Sequence, residues 1–124
     1  MALDGGKGRM AQVALARDAD TLYLAYRVDD DTPLVNLGEN WQTLFISGDC
    51  VDLMLAANPK ADPNRRQPAA GDQRLLFGVF HNEPIAVRYR PVAPGAKNPA
   101  TLMAARLDEI VKLSSAKVAV HRGD

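Results

Sequence analysis

Three consecutive aspartates, Asp29, Asp30 and Asp31, end a strand-like segment and precede Pro33 and Asn36. Calcium binds carboxylate and carbonyl oxygens, and Asp29 and Asp31 share one side of an extended chain, so both are candidate calcium ligands. The alternative is that the triplet is the solvated end of a strand, where Asp30 or Asp31 caps the turn before Pro33. As a catalytic pair for glycoside hydrolysis these acids lack an identifiable second wall of a cleft.

Trp41 is the only tryptophan, and it lies in an irregular segment beside Asn36, Glu39 and Asn40. Sugars present C–H faces that stack on aromatic rings, while polar neighbours bind their hydroxyls. We therefore predict a carbohydrate-binding surface formed by Trp41 with Asn36 and Asn40. The alternative is that Trp41 packs beneath its loop and covers the core.

Two arginines, Arg88 and Arg90, fall on one face of a predicted strand. Guanidinium groups at this spacing are suited to bracket a carboxylate or sugar hydroxyls, so both are added to the predicted carbohydrate-binding set. The alternative is that Arg88 and Arg90 lie on a solvated face of the strand and bind no ligand.

His81 and His121 have no partner at metal-ligand spacing.

Composition narrows the function classes. The chain has 124 residues, enough for one domain with its own core, and 47% of them are hydrophobic. Fifteen basic and fifteen acidic residues cancel, which removes the main driving force for nucleic-acid binding. No apolar run approaches the roughly 20 residues of a membrane span, and no signal-peptide core is visible. Cys50 is the single cysteine, so no internal disulfide is expected.

The elements that must position these residues are short strands. Alternation of apolar residues predicts a hairpin from residues 11–28, and further strands follow Gly48 and flank His81. Residues 101–113 contain good helix formers and leave helix and strand open, whereas residues 116–121 alternate as in a strand. Six or seven strands without alternating helices predict an all-β fold, an antiparallel β-sandwich over residues 10–124 after a flexible lead-in, residues 1–9.

Three strand phrases carry a family likeness: "VALARDADTLYLAYRVDDDTPLVN", "LFISGDCVDLMLAANPKADP" and "RLLFGVFHNEPIAVRYRPVAPGAK". The chain resembles the DOMON-like superfamily and, within it, the family 9 carbohydrate-binding modules. The resemblance implies a jelly-roll-like sandwich, an accessory module of an extracellular or periplasmic multidomain protein, and an aromatic clamp. The second ring of that clamp would be Tyr23, Tyr89 or Phe80. Tyr89 stands between Arg88 and Arg90 in the sequence and is added with them to the predicted carbohydrate-binding set. Compared with such modules the chain is shorter at both ends, so we expect a fragment or a minimal version.

The leading hypothesis is a non-catalytic module that tethers an attached enzyme or complex to a polysaccharide, with calcium as a candidate cofactor. The alternative is a haem-binding, electron-transfer domain of the DOMON type, in which Met54 or Met103 with a histidine would supply axial ligands. A third hypothesis is a structural domain that interacts through its sheet edges.

Overall fold

The computed structural model describes residues 2–4 and 9–123, with the side chains described from residue 9 onward. Within this part the chain forms antiparallel sheets and very little helix, which confirms the predicted all-β, sandwich-like fold class. No helix in the described residues is long and apolar enough to cross a membrane. The strands are β1 (Ala2–Asp4), β2 (Met10–Arg17), β3 (Leu22–Asp29), β4 (Cys50–Ala56), β5 (Asp72–Phe80), β6 (Glu83–Arg90), β7 (Ala100–Leu102), β8 (Ala105–Leu107) and β9 (Glu109–Lys112).

The chain divides into two compact units, Met1–Leu34 and Val35–Asp124. The first unit is a three-stranded sheet in the order β1-β2-β3. Most of the lead-in predicted for residues 1–9 lies outside the described residues, although β1 pairs with β2.

The hairpin of β2 and β3 forms in the register that its alternation predicts. Val13 pairs with Tyr26 and Leu15 pairs with Leu24, so the apolar residues of both strands share one face. Asp18 closes the turn between them, since its Oδ1 atom accepts hydrogen bonds from the backbone of Asp20 and Thr21.

The second unit contains a four-stranded sheet in the order β4-β5-β6-β9 and a two-stranded ribbon of β7 and β8. A two-residue turn joins β5 to β6, and its residues His81 and Asn82 have φ of 50° and 66°. Positive φ at both positions is the signature of a type I′ turn, which matches the twist of the flanking strands.

The core of this unit lies on one face of the four-stranded sheet. Leu76, Val87 and Tyr89 project from β5 and β6, and Leu44 covers them. Leu44 begins α1 (Leu44–Ser47), which directly follows a 3₁₀ turn. Partly buried side chains that pack around this core include Trp41, Phe45, Cys50, Phe80, Ile85, Leu102, Leu107 and Ile110.

Two predictions concern the C-terminal part of the chain: helix or strand for residues 101–113, and a strand for residues 116–121. Residues 101–113, open between helix and strand, form the β7–β8 ribbon and β9, because β9 pairs along β6. The strand predicted for residues 116–121 is wrong, since these residues form no ladder. After Leu113 the chain turns, with the N–H of Ala116 donating to the Leu113 carbonyl. None of the described strands pairs with residues 116–121.

Candidate functional site

Trp41 is held by a capped turn. The side chain of Asn40 accepts a hydrogen bond of 2.9 Å from the backbone N–H of Gln42, and the N–H of Thr43 donates to the Asn40 carbonyl. The phenol of Tyr89 then donates to the Gln42 carbonyl oxygen at 3.1 Å. Trp41 is consequently half-buried, with part of its ring against the core and part at the surface.

The ammonium group of Lys112 links Trp41 to a stacked pair of rings. The Nζ atom of Lys112 lies 5.1 Å from the centroid of the Trp41 ring and 5.7 Å from that of Phe80. The rings of Phe80 and His81 stack with their centroids 3.9 Å apart. We call Trp41, Phe80, His81 and Lys112 the aromatic rim.

The sheet brings the rim residues together from distant parts of the sequence. Phe80 is the last residue of β5 and Lys112 is the last residue of β9, and β6 lies between these two strands. His81 opens the turn after Phe80. Sequence reasoning named Trp41 and considered Phe80, but it missed Lys112, because nothing in the local sequence around Lys112 marks it.

Asn36, predicted to bind sugar, has its side-chain amide engaged with the protein. Its Nδ2 atom donates to the carbonyl of Val79 at 2.7 Å, and its Oδ1 atom accepts from the N–H of Gly38 at 3.1 Å. Gly48 lies against this amide, and a Cβ atom there would come within 2.8 Å of the Asn36 side chain. Asn36 therefore fastens its loop to the end of β5.

Tyr89 lies in the core rather than at the surface, with only 2% of its area exposed. Burial raises its pKa to about 12. Because neighbours along a strand point to opposite faces, Arg88 and Arg90 lie on the face of the sheet opposite Tyr89 and Trp41. The structure thus keeps Trp41 and Asn40 near each other and separates them from the arginine pair.

The aspartate triplet is engaged in ion pairs and a turn. Asp31 pairs with Arg9 at 2.9 Å, and Asp29 pairs with Arg27 at 3.3 Å. Asp30 accepts hydrogen bonds from the hydroxyl and N–H of Thr32, and these bonds lower its pKa. Among the described residues no group of three or more His, Cys, Asp or Glu is arranged to hold a metal ion. The arrangement fits a strand end better than a calcium site.

The residues proposed as haem ligands are not gathered around a pocket. Met54 and Met103 are largely exposed. His81 lies at a hairpin turn, and His121 lies in the exposed segment after β9. A haem axial ligand faces a sheltered cavity, and these positions do not fit that requirement.

The long loop between β4 and β5 is folded by an ion pair. Arg65 binds both carboxylate oxygens of Asp72, which also accepts from the N–H of Ala69, and these bonds lower the pKa of Asp72. An open groove of about 710 Å³ follows this loop, lined in part by Pro59 and Pro63. Arg65 and Asp72 bind each other, while Asn58, Arg66 and Gln67 supply the other polar side chains of the groove.

The aromatic rim is the arrangement best suited to hold a ligand. Its rings offer apolar faces, Lys112 offers N–H donors, and Nδ2 of Asn40 has no protein partner among the described residues. Three comparisons with known proteins add no further identification. No family model, curated protein or solved structure matches the chain.

Proposed function

We propose that this chain is a non-catalytic carbohydrate-binding module whose ligand lies on the aromatic rim. The observation that carries the proposal is the position of the Lys112 ammonium over the rings of both Trp41 and Phe80. A sugar needs a flat apolar surface and a hydrogen-bond donor within one ring width, and this cluster supplies both.

In this proposal each rim residue has a distinct role. The exposed part of Trp41 and the Phe80–His81 stack take the C–H faces of successive sugar rings. Lys112 and the Asn40 amide donate to sugar hydroxyls. The ligand is held and released unaltered, so the module acts by raising the local concentration of polysaccharide for an attached domain.

The first experiment uses the wild-type chain and its single tryptophan. Because Trp41 is the only indole, its fluorescence reports on the rim without any label. We expect oligosaccharide titration to shift or quench this emission. Affinity electrophoresis through gels containing neutral and acidic polysaccharides should show retardation on at least one of them.

Matched variants then separate rim binding from general effects. Lys112→Gln should reduce the retardation, while Lys117→Gln, an exposed lysine outside the rim, should not. Trp41→Ala should abolish retardation, because it removes the largest ring of the rim. Thermal unfolding of each variant identifies any loss that comes from unfolding. Unchanged emission together with no retardation on any polysaccharide would reject the proposal.

A further inference from the structure

A second cluster lies on the other face of the four-stranded sheet, where Arg88 and Arg90 share the carboxylate of Glu109. Arg88 donates to one carboxylate oxygen at 2.9 Å, and Arg90 donates to the other at 2.5 Å. These contacts, the bond from Arg90 foremost, hold the pKa of Glu109 below its ordinary value. Glu109 is therefore ionised at neutral pH, and the cluster keeps one positive charge in excess.

Two half-buried arginines that share one carboxylate are unusual among the described residues. The other half-buried arginines of the described residues, Arg65 and Arg74, pair with Asp72 and Asp52 respectively. Arg88 and Arg90 are also half-buried, with 31% and 34% of their side chains exposed. Partial burial makes an uncompensated charge costly, so a second anion has more to gain here than at an exposed arginine.

The hydrogen bonds of the two guanidinium groups are also incomplete. Arg88 and Arg90 each donate to only one oxygen of Glu109, whereas Arg65 donates to both carboxylate oxygens of Asp72. The Nε atoms of Arg88 and Arg90 are buried and have no hydrogen-bond partner. Buried donors in proteins are nearly always satisfied, so the protein itself leaves the hydrogen-bonding capacity of this arginine pair incompletely used.

Apolar side chains flank the cluster on the same face. Arg88 lies directly between Leu75 of β5 and Val111 of β9 in the sheet register, and both of these residues are half-buried. A ligand bound through the arginines would therefore lay its carbon skeleton across non-polar side chains.

We propose that Arg88 and Arg90 form a binding site for the carboxylate of an organic acid, with Glu109 setting its charge. The excess of one positive charge matches a monoanion, whereas a dianion such as phosphate would leave a net negative cluster beside Glu109. Planar carboxylates also match the planar guanidinium donors. This site is independent of the aromatic rim, which lies on the opposite face.

Calorimetric titration of the wild-type chain at low salt tests the site with defined probes: glucuronate, hexanoate, glucose and inorganic phosphate. We expect at least one of the two carboxylates to bind and glucose not to bind. Preference for glucuronate identifies a sugar acid, and preference for hexanoate identifies an aliphatic acid; either result supports the site. If neither acid binds more tightly than glucose, the proposal is overturned.

Variants test the charge count. Arg90→Gln should weaken the binding of the preferred acid by about tenfold, the effect of one charge-assisted hydrogen bond, and Arg65→Gln should leave it unchanged. Glu109→Gln raises the excess to two positive charges, so it should strengthen phosphate binding by about tenfold. Equal weakening by Arg90→Gln and Arg65→Gln, or no gain for phosphate in a folded Glu109→Gln variant, would contradict the proposal. If Glu109→Gln does not fold, the proposal is still tested by the wild-type preference for carboxylates over glucose and by the comparison of Arg90→Gln with Arg65→Gln.

Discussion

The phenol of Tyr89 donates a 3.1 Å hydrogen bond to the carbonyl oxygen of Gln42, the residue that follows Trp41. This bond joins the centre of the sheet to the turn that carries the tryptophan. Phe45 packs edge-on against the same tyrosine, with ring centroids 5.7 Å apart. The position of Trp41 in the aromatic rim therefore depends on Tyr89, a buried residue that a ligand on the rim would not contact.

Tyr89→Phe should destabilise the protein by roughly 1–2 kcal/mol, because it removes one hydrogen bond and leaves the Gln42 carbonyl without its donor. Urea unfolding measures the difference. Tyr23→Phe is the matched control, since its hydroxyl donates to Asp18 at an exposed site, and it should cost well under ~1 kcal/mol. Equal costs for the two substitutions would show that the Tyr89 bond has no special role.

Alkaline pH should destabilise the protein through the same residue. Burial raises the pKa of Tyr89 to about 12, above the ordinary tyrosine value of about 10. Its contribution to stability is therefore complete below pH ~10 and is lost as the pH rises toward 12, at up to about 1.4 kcal/mol per pH unit. Urea unfolding across this range should show a fall in stability that Tyr89→Phe reduces and Tyr23→Phe does not.

The hairpins were predictable from sequence because their signals are local. The alternation of Val13 and Leu15 with polar or small neighbours specified both the strand and the residues that share one of its faces. The same alternation along β6 placed Tyr89 opposite Arg88 and Arg90, so grouping all three in one sugar site conflicted with the strand period itself.

Long-range pairing decided the features that sequence alone left open. Residues 101–113 contain good helix formers, yet Ile110 and Val111 pair with Tyr89 and Arg88 and extend the sheet. Tertiary context overrides local propensity in such a segment. The contact between Lys112 and Trp41 has the same origin, since it exists only once β9 has paired with β6.

Asn36 should prove more important for folding than for direct sugar contact. Gly48→Ala places a Cβ atom within 2.8 Å of the Asn36 side chain and should displace it from the Val79 carbonyl. We expect Asn36→Ala and Gly48→Ala to lower stability by a similar amount, roughly 1–3 kcal/mol, because both break the same bond. The double variant should cost little more than either single change, and additive losses in urea unfolding would argue against this shared cause.

The turn between β7 and β8 should be open to stabilisation. Met103 and Ala104 have φ of 48° and 65°, which only glycine and asparagine adopt readily. Met103 is also 74% exposed, so its replacement removes little packing. Replacing Met103 by Asn and Ala104 by Gly should therefore raise stability by about 1 kcal/mol, measured by thermal unfolding.

A control for this turn keeps the backbone preference unchanged. Met103→Leu retains a side chain that resists positive φ, and it should leave the melting temperature within the range of ordinary surface substitutions. A gain from Met103→Leu equal to that from the Asn-Gly pair would mean that the methionine side chain, and not the backbone conformation, is the source of the effect.

Calcium binding at Asp29 and Asp31 stays a prediction, and the ion pairs of the aspartate triplet define its test. Calcium would have to displace Arg9 from Asp31 and Arg27 from Asp29. If calcium binds the native state there, it must raise the melting temperature, and a chelator must reverse the rise. Arg9→Gln removes one competing cation and should enlarge the calcium effect, while Asp31→Asn should abolish it. A melting temperature that calcium leaves unchanged in both the wild type and Arg9→Gln would assign the triplet to the end of β3 alone, where Asp30 closes the turn through Thr32.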